Sequence, residues 1–207
     1  MRSNNSKYLV LAALIVSVVA LSLGFAAMTS TLTISSSASV NYDGSDHFNV
    51  SLSKANNSIS VGSVTATATG GATGDSATIN SAGTTISGLK ANFTDVGQTV
   101  KYTLYAYNAG EFLAYLNSVS FGTKTCTAVS GTNQTYVNAA CNDISLSVKV
   151  GSATYTASNT NISSHTLATG SAETVEVTIA YAANGATADG DFTVAFGDVV
   201  LTYGSAD

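Results

Sequence analysis

The chain contains no proline and no tryptophan, only two cysteines and two histidines, and very little charge. Lys, Arg, Asp and Glu make up 9% of its 207 residues, against roughly a quarter in an average soluble domain. Each shortage excludes something. Seven Lys and Arg against twelve acids, a net charge of −5, cannot build the basic stripe that tracks a phosphate backbone, so no nucleic acid partner is expected. Average usage would place about ten prolines in a chain of this length. Their absence suits a protein that is mostly strand ladder, where each missing N–H forfeits a bond. The histidines, His47 and His165, sit in no motif that sets a base beside a nucleophile. Glu111, Glu173 and Glu176 are the only glutamates and give little support to paired-carboxylate glycoside chemistry. No phosphate loop or dinucleotide fingerprint is present. The expectation is a non-catalytic protein that carries no cofactor.

Hydrophobic residues nevertheless make up 45% of the chain, enough for a packed core, and Ser, Thr, Asn and Gly carry the polar balance. Such a surface stays hydrated without strong like-charge repulsion, which permits close packing of copies. It also lacks one guard against edge-to-edge strand pairing. The N-terminus pairs a basic start, Arg2 and Lys7, with an apolar run from Leu9 to Ala27 broken only by Ser17, Ser22 and Gly24. This is the pattern of a secretory signal, with cleavage after Ala26 or near it. A retained anchor is the alternative, because about 19 apolar residues just span a bilayer, and the basic flank would then keep the N-terminus inside. Membrane contact is expected only through residues 9–27, if uncut. In an exported chain Cys126 and Cys141 read as one disulfide. It would close a loop of about 15 residues and contribute roughly 3 kcal/mol.

After residue 28 the pattern is period two. Leu32, Ile34, Ala38, Val40 and Tyr42 fall on one face of an extended chain and Ser, Thr or Asn on the other. Ser35-Ser36-Ser37 interrupts the stripe, so Thr31–Ile34 is a strand separate from Ala38–Tyr42. Alternation recurs at Phe48–Leu52, Val100–Ala106, Ile144–Val150, Val175–Tyr181 and Phe192–Tyr203, between turns rich in Gly, Asn, Asp and Ser. Beyond residue 30 only Gln134–Ala140 has room for a helical turn. The fold class is therefore all-β: an antiparallel sandwich of eight to ten strands over residues 38–207. A short extension, 28–37, and the hydrophobic segment 1–27 precede it. Two acidic clusters, Asp43 with Asp46 and Asp189 with Asp191, can offer oxygens to Ca²⁺. Asp-Gly is also common hairpin chemistry, and neither cluster shows a calcium-loop series, so no metal is expected. Sequons stand at Asn49, Asn56, Asn92, Asn133 and Asn161. Tyr105, Tyr107 and Tyr115, read as exposed, can stack on cell-surface glycans or on a neighbouring subunit, or simply form cross-strand pairs.

Three stretches together resemble the TasA/camelysin-like biofilm-matrix fibre proteins and the related archaeal bundling pilins. They are Phe25-Ala-Ala-Met-Thr-Ser-Thr-Leu-Thr-Ile-Ser35 with the strand Phe48-Asn-Val-Ser-Leu52 following, Val96-Gly-Gln-Thr-Val-Lys-Tyr-Thr-Leu-Tyr-Ala-Tyr-Asn-Ala-Gly110, and Thr174–Tyr181 with the closing Asp191–Tyr203. Val96 stands where that family usually has Pro, and the cysteine pair is not one of its marks. The resemblance implies a jelly-roll domain that polymerises head to tail by donor-strand complementation into a filament or matrix fibre at the cell surface. The donor would span about Met28 to Ser36, with Thr31, Leu32, Thr33 and Ile34 at the interface and Leu32 and Ile34 entering apolar pockets. The alternative is a monomeric adhesin or carbohydrate-binding sandwich, secreted or anchored.

Overall fold

The computed structural model describes residues 29–34, 47–162, 164–197 and 199–205. The segment 1–27, the expected strand Ala38–Tyr42 and the pair Asp43 and Asp46 lie outside the described residues. What is described is mostly strand, in largely antiparallel sheets, with one short helix.

Alternation builds the first layer, a six-stranded sheet. Strand β9 (Thr99–Asn108) buries Val100, Tyr102, Leu104 and Ala106 and turns Lys101, Thr103, Tyr105 and Tyr107 outward. Strand β15 (Ala172–Tyr181) lies antiparallel to it and buries Val175, Val177, Ile179 and Tyr181. On the far edge of β15 runs β12 (Ile144–Val150), followed by β13 (Ala153–Tyr155). The other edge of β9 is shared end to end by β2 (Val50–Ser53) and β4 (Ala66–Thr69). In β2 the alternation fails, since Ser51 and Ser53 are buried along with Val50 and Leu52. Ser53 Oγ accepts from the amides of Ala55 and Ser60 at 3.0 and 2.9 Å and donates to the Ser58 carbonyl at 2.7 Å. The following loop is thereby drawn over the strand.

Two further sheets face this one. The seven-stranded sheet runs β14 (Thr166–Leu167), β10 (Ala114–Phe121), β17 (Val199–Ser205), β1 (Thr29–Ile34), β7 (Thr85–Ser87), β6 (Ala77–Ile79) and β3 (Gly62–Val64). The four-stranded sheet runs β11 (Lys124–Ala128), β16 (Phe192–Phe196), β8 (Lys90–Phe93) and β5 (Thr73–Gly74). Their registers make them one bent layer. Phe121 faces Val199 and Lys124 faces Phe196, so the β10–β11 line stays in step with β16–β17 across the bend. The amide of Gly197 bonds the Thr123 carbonyl at 2.7 Å within it. A Cβ on Gly197 would lie 2.9 Å from the Thr123 nitrogen, so only glycine lets the backbones close. Likewise β5–β6 keeps step with β7–β8, with Gly74 facing Ala91 before the corner and Thr78 facing Ser87 after it. Expected long strands are thus cut in two by corners, which is why the described strands outnumber the eight to ten read from the sequence.

The core lies between the layers. Phe93 and Phe192 of the bent layer meet Tyr181 of the flat one at centroid distances of 5.6 and 5.5 Å. Tyr102 crosses from β9 to the corner itself. Its hydroxyl lies 2.6 Å from the Lys90 carbonyl and 3.1 Å from that of Asp75, and it accepts the Lys90 amide at 3.0 Å. Asp75 and Lys90 are the next opposed pair after Gly74 and Ala91, so the phenol fills the gap that the bend opens in the ladder. Burial raises its pKa above the ordinary phenol value, which keeps it protonated and able to donate. The Tyr102→Phe variant strands these backbone groups. It is expected to lose about 1–3 kcal/mol of stability, read as a lower urea midpoint with unchanged slope.

The one helix among the described residues, α1 (Gln134–Cys141), follows β11, with the Asn133 side chain capping it by accepting the Thr135 amide. It is longer than the single turn expected. Cys126 and Cys141 form the expected disulfide, Sγ–Sγ 2.01 Å, joining β11 to the end of α1.

Candidate functional site

The bend leaves a fork in the layer. On one side of the corner β8 pairs directly with β16, from Phe93 opposite Phe192 to Lys90 opposite Ala195. On the other side their continuations, β7 and β17, no longer touch; the chain turns at Gly88 (φ 81°), a left-handed conformation that favours glycine. β1 occupies the space between them. It runs antiparallel to β17 over all six of its residues, from Thr29 opposite Gly204 to Ile34 opposite Val199. With β7 it is parallel and pairs only at Thr33 and Ile34, opposite Thr85 and Ile86. The slot is therefore closed at the Ile34 end and wide at the Thr29 end. Two strand spacings, about 10 Å, separate its walls where β1 lies between both.

The residues singled out from the sequence lie in this slot. Thr31, Leu32, Thr33 and Ile34 stand opposite Thr202, Leu201, Val200 and Val199. Of the residues lining the slot, Val199, Leu201, Tyr203 and Ile86 are buried. The β17 wall is bolted to the other layer. Tyr203, register partner of Ser30, donates its hydroxyl to Glu173 Oε1 at 2.7 Å, and the second carboxylate oxygen meets the His165 ring. Burial first, then the Glu173 charge, pushes the Tyr203 phenol well above its ordinary value, so it remains a donor. Of the other outer strands, β14 and β5 have two residues, β3 and β13 three, β2 and β4 four, and β11 five. Removing β1 would bare the six-residue edge of β17, the longest such row in the bent layer.

The other candidates are spoken for locally. Asp189 Oδ1 accepts the Asn133 amide at 2.9 Å, and the Asp191 carbonyl accepts the Thr132 hydroxyl at 2.9 Å, so both shape the entrance to α1. No three His, Cys, Asp or Glu cluster for a metal among the described residues. Tyr105, Tyr107 and Tyr115 are half-buried rather than exposed. Tyr105 lies opposite Thr174 and Ser53, and Tyr107 opposite Ala172 and Ser51. No described helix is long and apolar enough to cross a membrane. On the outer face of the six-stranded sheet Glu176 bonds Lys101 at 2.8 Å, with Lys149 at 3.8 Å.

No family model, no curated protein and no solved structure matches the chain.

The hydrogen bond from Lys101 holds the Glu176 carboxyl below its ordinary value of 4.5, helped by the two lysine charges against the cost of burial. A depressed carboxyl stabilises the fold fully above its unfolded pKa and loses that contribution as pH falls through the lower folded value. Glu176→Gln should therefore show a shallower loss of urea stability below pH 4.5 than the parent.

Proposed function

We propose that the chain is the structural subunit of an extracellular filament or matrix fibre, in which β1 of one copy fills the β17–β7 slot of the next. One observation carries this reading. Among the described residues β1 is the sole link between the two parts of the seven-stranded sheet, β14-β10-β17 and β7-β6-β3, yet residues 35–46 separate it from the body that begins at His47. Thirteen peptide steps from Ile34 to His47 can span about 43–47 Å. That length serves equally for a return to the same body or a reach to a neighbour. Main-chain bonds are the same in both cases, so a neighbour's strand competes through concentration against loop closure. A contact between one copy's strand and another's slot does not close on itself and yields an open fibre. The low surface charge offers little repulsion between packed copies, and the resemblance to the TasA/camelysin-like fibre proteins points the same way. Export and the absence of catalysis belong to the same proposal.

The second reading, a monomeric exported binding sandwich, is favoured by the pairing of β1 within its own chain. The double variant Thr31→Cys with Thr202→Cys separates the two, because these residues are register partners. After oxidation of assembled protein, a denaturing non-reducing gel should show a ladder of linked subunits. A single monomer band, linked internally, would refute strand exchange. Deleting residues 28–36 should abolish fibres in electron micrographs, and fibres of that variant would refute it as well.

A further inference from the structure

β11 is the outer strand of the four-stranded sheet, and Gln134 occupies its free edge. The Gln134 side chain donates Nε2 to the Cys126 carbonyl at 3.1 Å and accepts the Ala128 amide on Oε1 at 2.9 Å. In a parallel pair, one residue of the neighbouring strand donates to one carbonyl and accepts from the amide two residues on. The primary amide of Gln134 reproduces that exchange around Thr127, so a helix side chain stands in for a strand. Outside the helix, the Asn133 amide and Thr132 hydroxyl are held by Asp189 and Asp191, and Asp143 accepts the Ala186 amide; over β11 itself the fixings are these. Val137 and Ala140 are buried, Lys124 Nζ donates to the Ile144 carbonyl at 2.7 Å and to that of Cys141, and the Cys126–Cys141 disulfide ties both ends. Eight residues are too few for a helix to persist unsupported. β11 itself, Lys-Thr-Cys-Thr-Ala, has no proline, and its one charge is turned toward the end of the helix. The devices that usually blunt an edge are otherwise missing.

We propose that α1 is a disulfide-latched guard over the β11 edge, and that opening the latch exposes that edge to a strand of a second copy of this chain. The opening is a thiol–disulfide exchange with an external dithiol. The dithiol gives up two electrons and two protons and closes to its own disulfide, while the Sγ–Sγ bond becomes two thiols. The freed groups are main-chain ones that any extended strand satisfies. A second copy fits because only 9% of its residues are charged, and because β11 against β11, antiparallel about Cys126, uses the same edge on both partners. This edge is remote in register from the β17–β7 slot, so the outcome does not depend on β1 exchange.

Hydrogen exchange on the full chain with and without dithiothreitol tests the latch. The Ala128 amide should exchange about tenfold faster after reduction, and Gln134→Ala should give the same change without reduction. Unchanged protection in the reduced protein would overturn the proposal. Gel analysis of Cys141→Ser and Cys126→Ser tests the partner. Cys141→Ser leaves a thiol at the centre of the edge and should form a covalent dimer under mild oxidation, whereas Cys126→Ser, with its thiol on the helix, should not. Equal dimerisation of both, or of neither, would overturn pairing at this edge.

Discussion

The join between β17 and β7 depends on main-chain hydrogen bonds to a strand that comes from far away in sequence. Among the described residues, the amides and carbonyls on the edge of β17 away from β10 find their strand partners in Thr29–Ile34, and strand polar groups left without partners in a packed layer are costly. The fork that creates this need arises from the corner. β8 and β16 are paired at one end, and their continuations splay because the layer bends at Gly88 and Gly197. Tyr102, reaching across the core, satisfies the groups that the bend leaves unpaired. A glycine approach, a buried phenol and an inserted strand are thus parts of one arrangement.

Much of the fold was legible in the sequence because it rests on period two. The runs at Val100–Ala106, Ile144–Val150 and Val175–Tyr181 become β9, β12 and β15 with the expected faces buried. The break in the pattern at Ser35–Ser37 marks off the strand that the layer uses as β1, and the only two cysteines, read as a pair, form the disulfide. The corners were not legible. Gly197 and Gly88-Leu89 look like ordinary turn residues, and only register across long separations shows that the lines stay in step on either side of them. Ser53 and Gln134 escaped for a similar reason. One is a serine expected on a wet face that gathers a loop. The other is a glutamine whose amide acts as backbone, and neither role leaves a local pattern.

A surface with few charges has to protect its sheet edges by geometry. Most outer strands here are two or three residues long, which gives an incoming strand little to bind. β11 is longer and is covered by α1. β17 is longer still and is covered by β1. The two strands with most to offer a partner are the two that carry a separate covering element, one latched by a covalent bond and one held only by hydrogen bonds and packing.

The taper of the fork also bears on how one strand would replace another in it under the proposed exchange. Thr33 and Ile34 are gripped from both sides, whereas Thr29–Leu32 are paired along β17 alone. The singly held stretch is a toehold: a competing strand can gain bonds at the mouth while the resident loses them one at a time. Replacement would then advance as a moving junction, with no moment at which the whole cleft stands empty. The tight apex, paired on both sides at Thr33 and Ile34, would be the last to open.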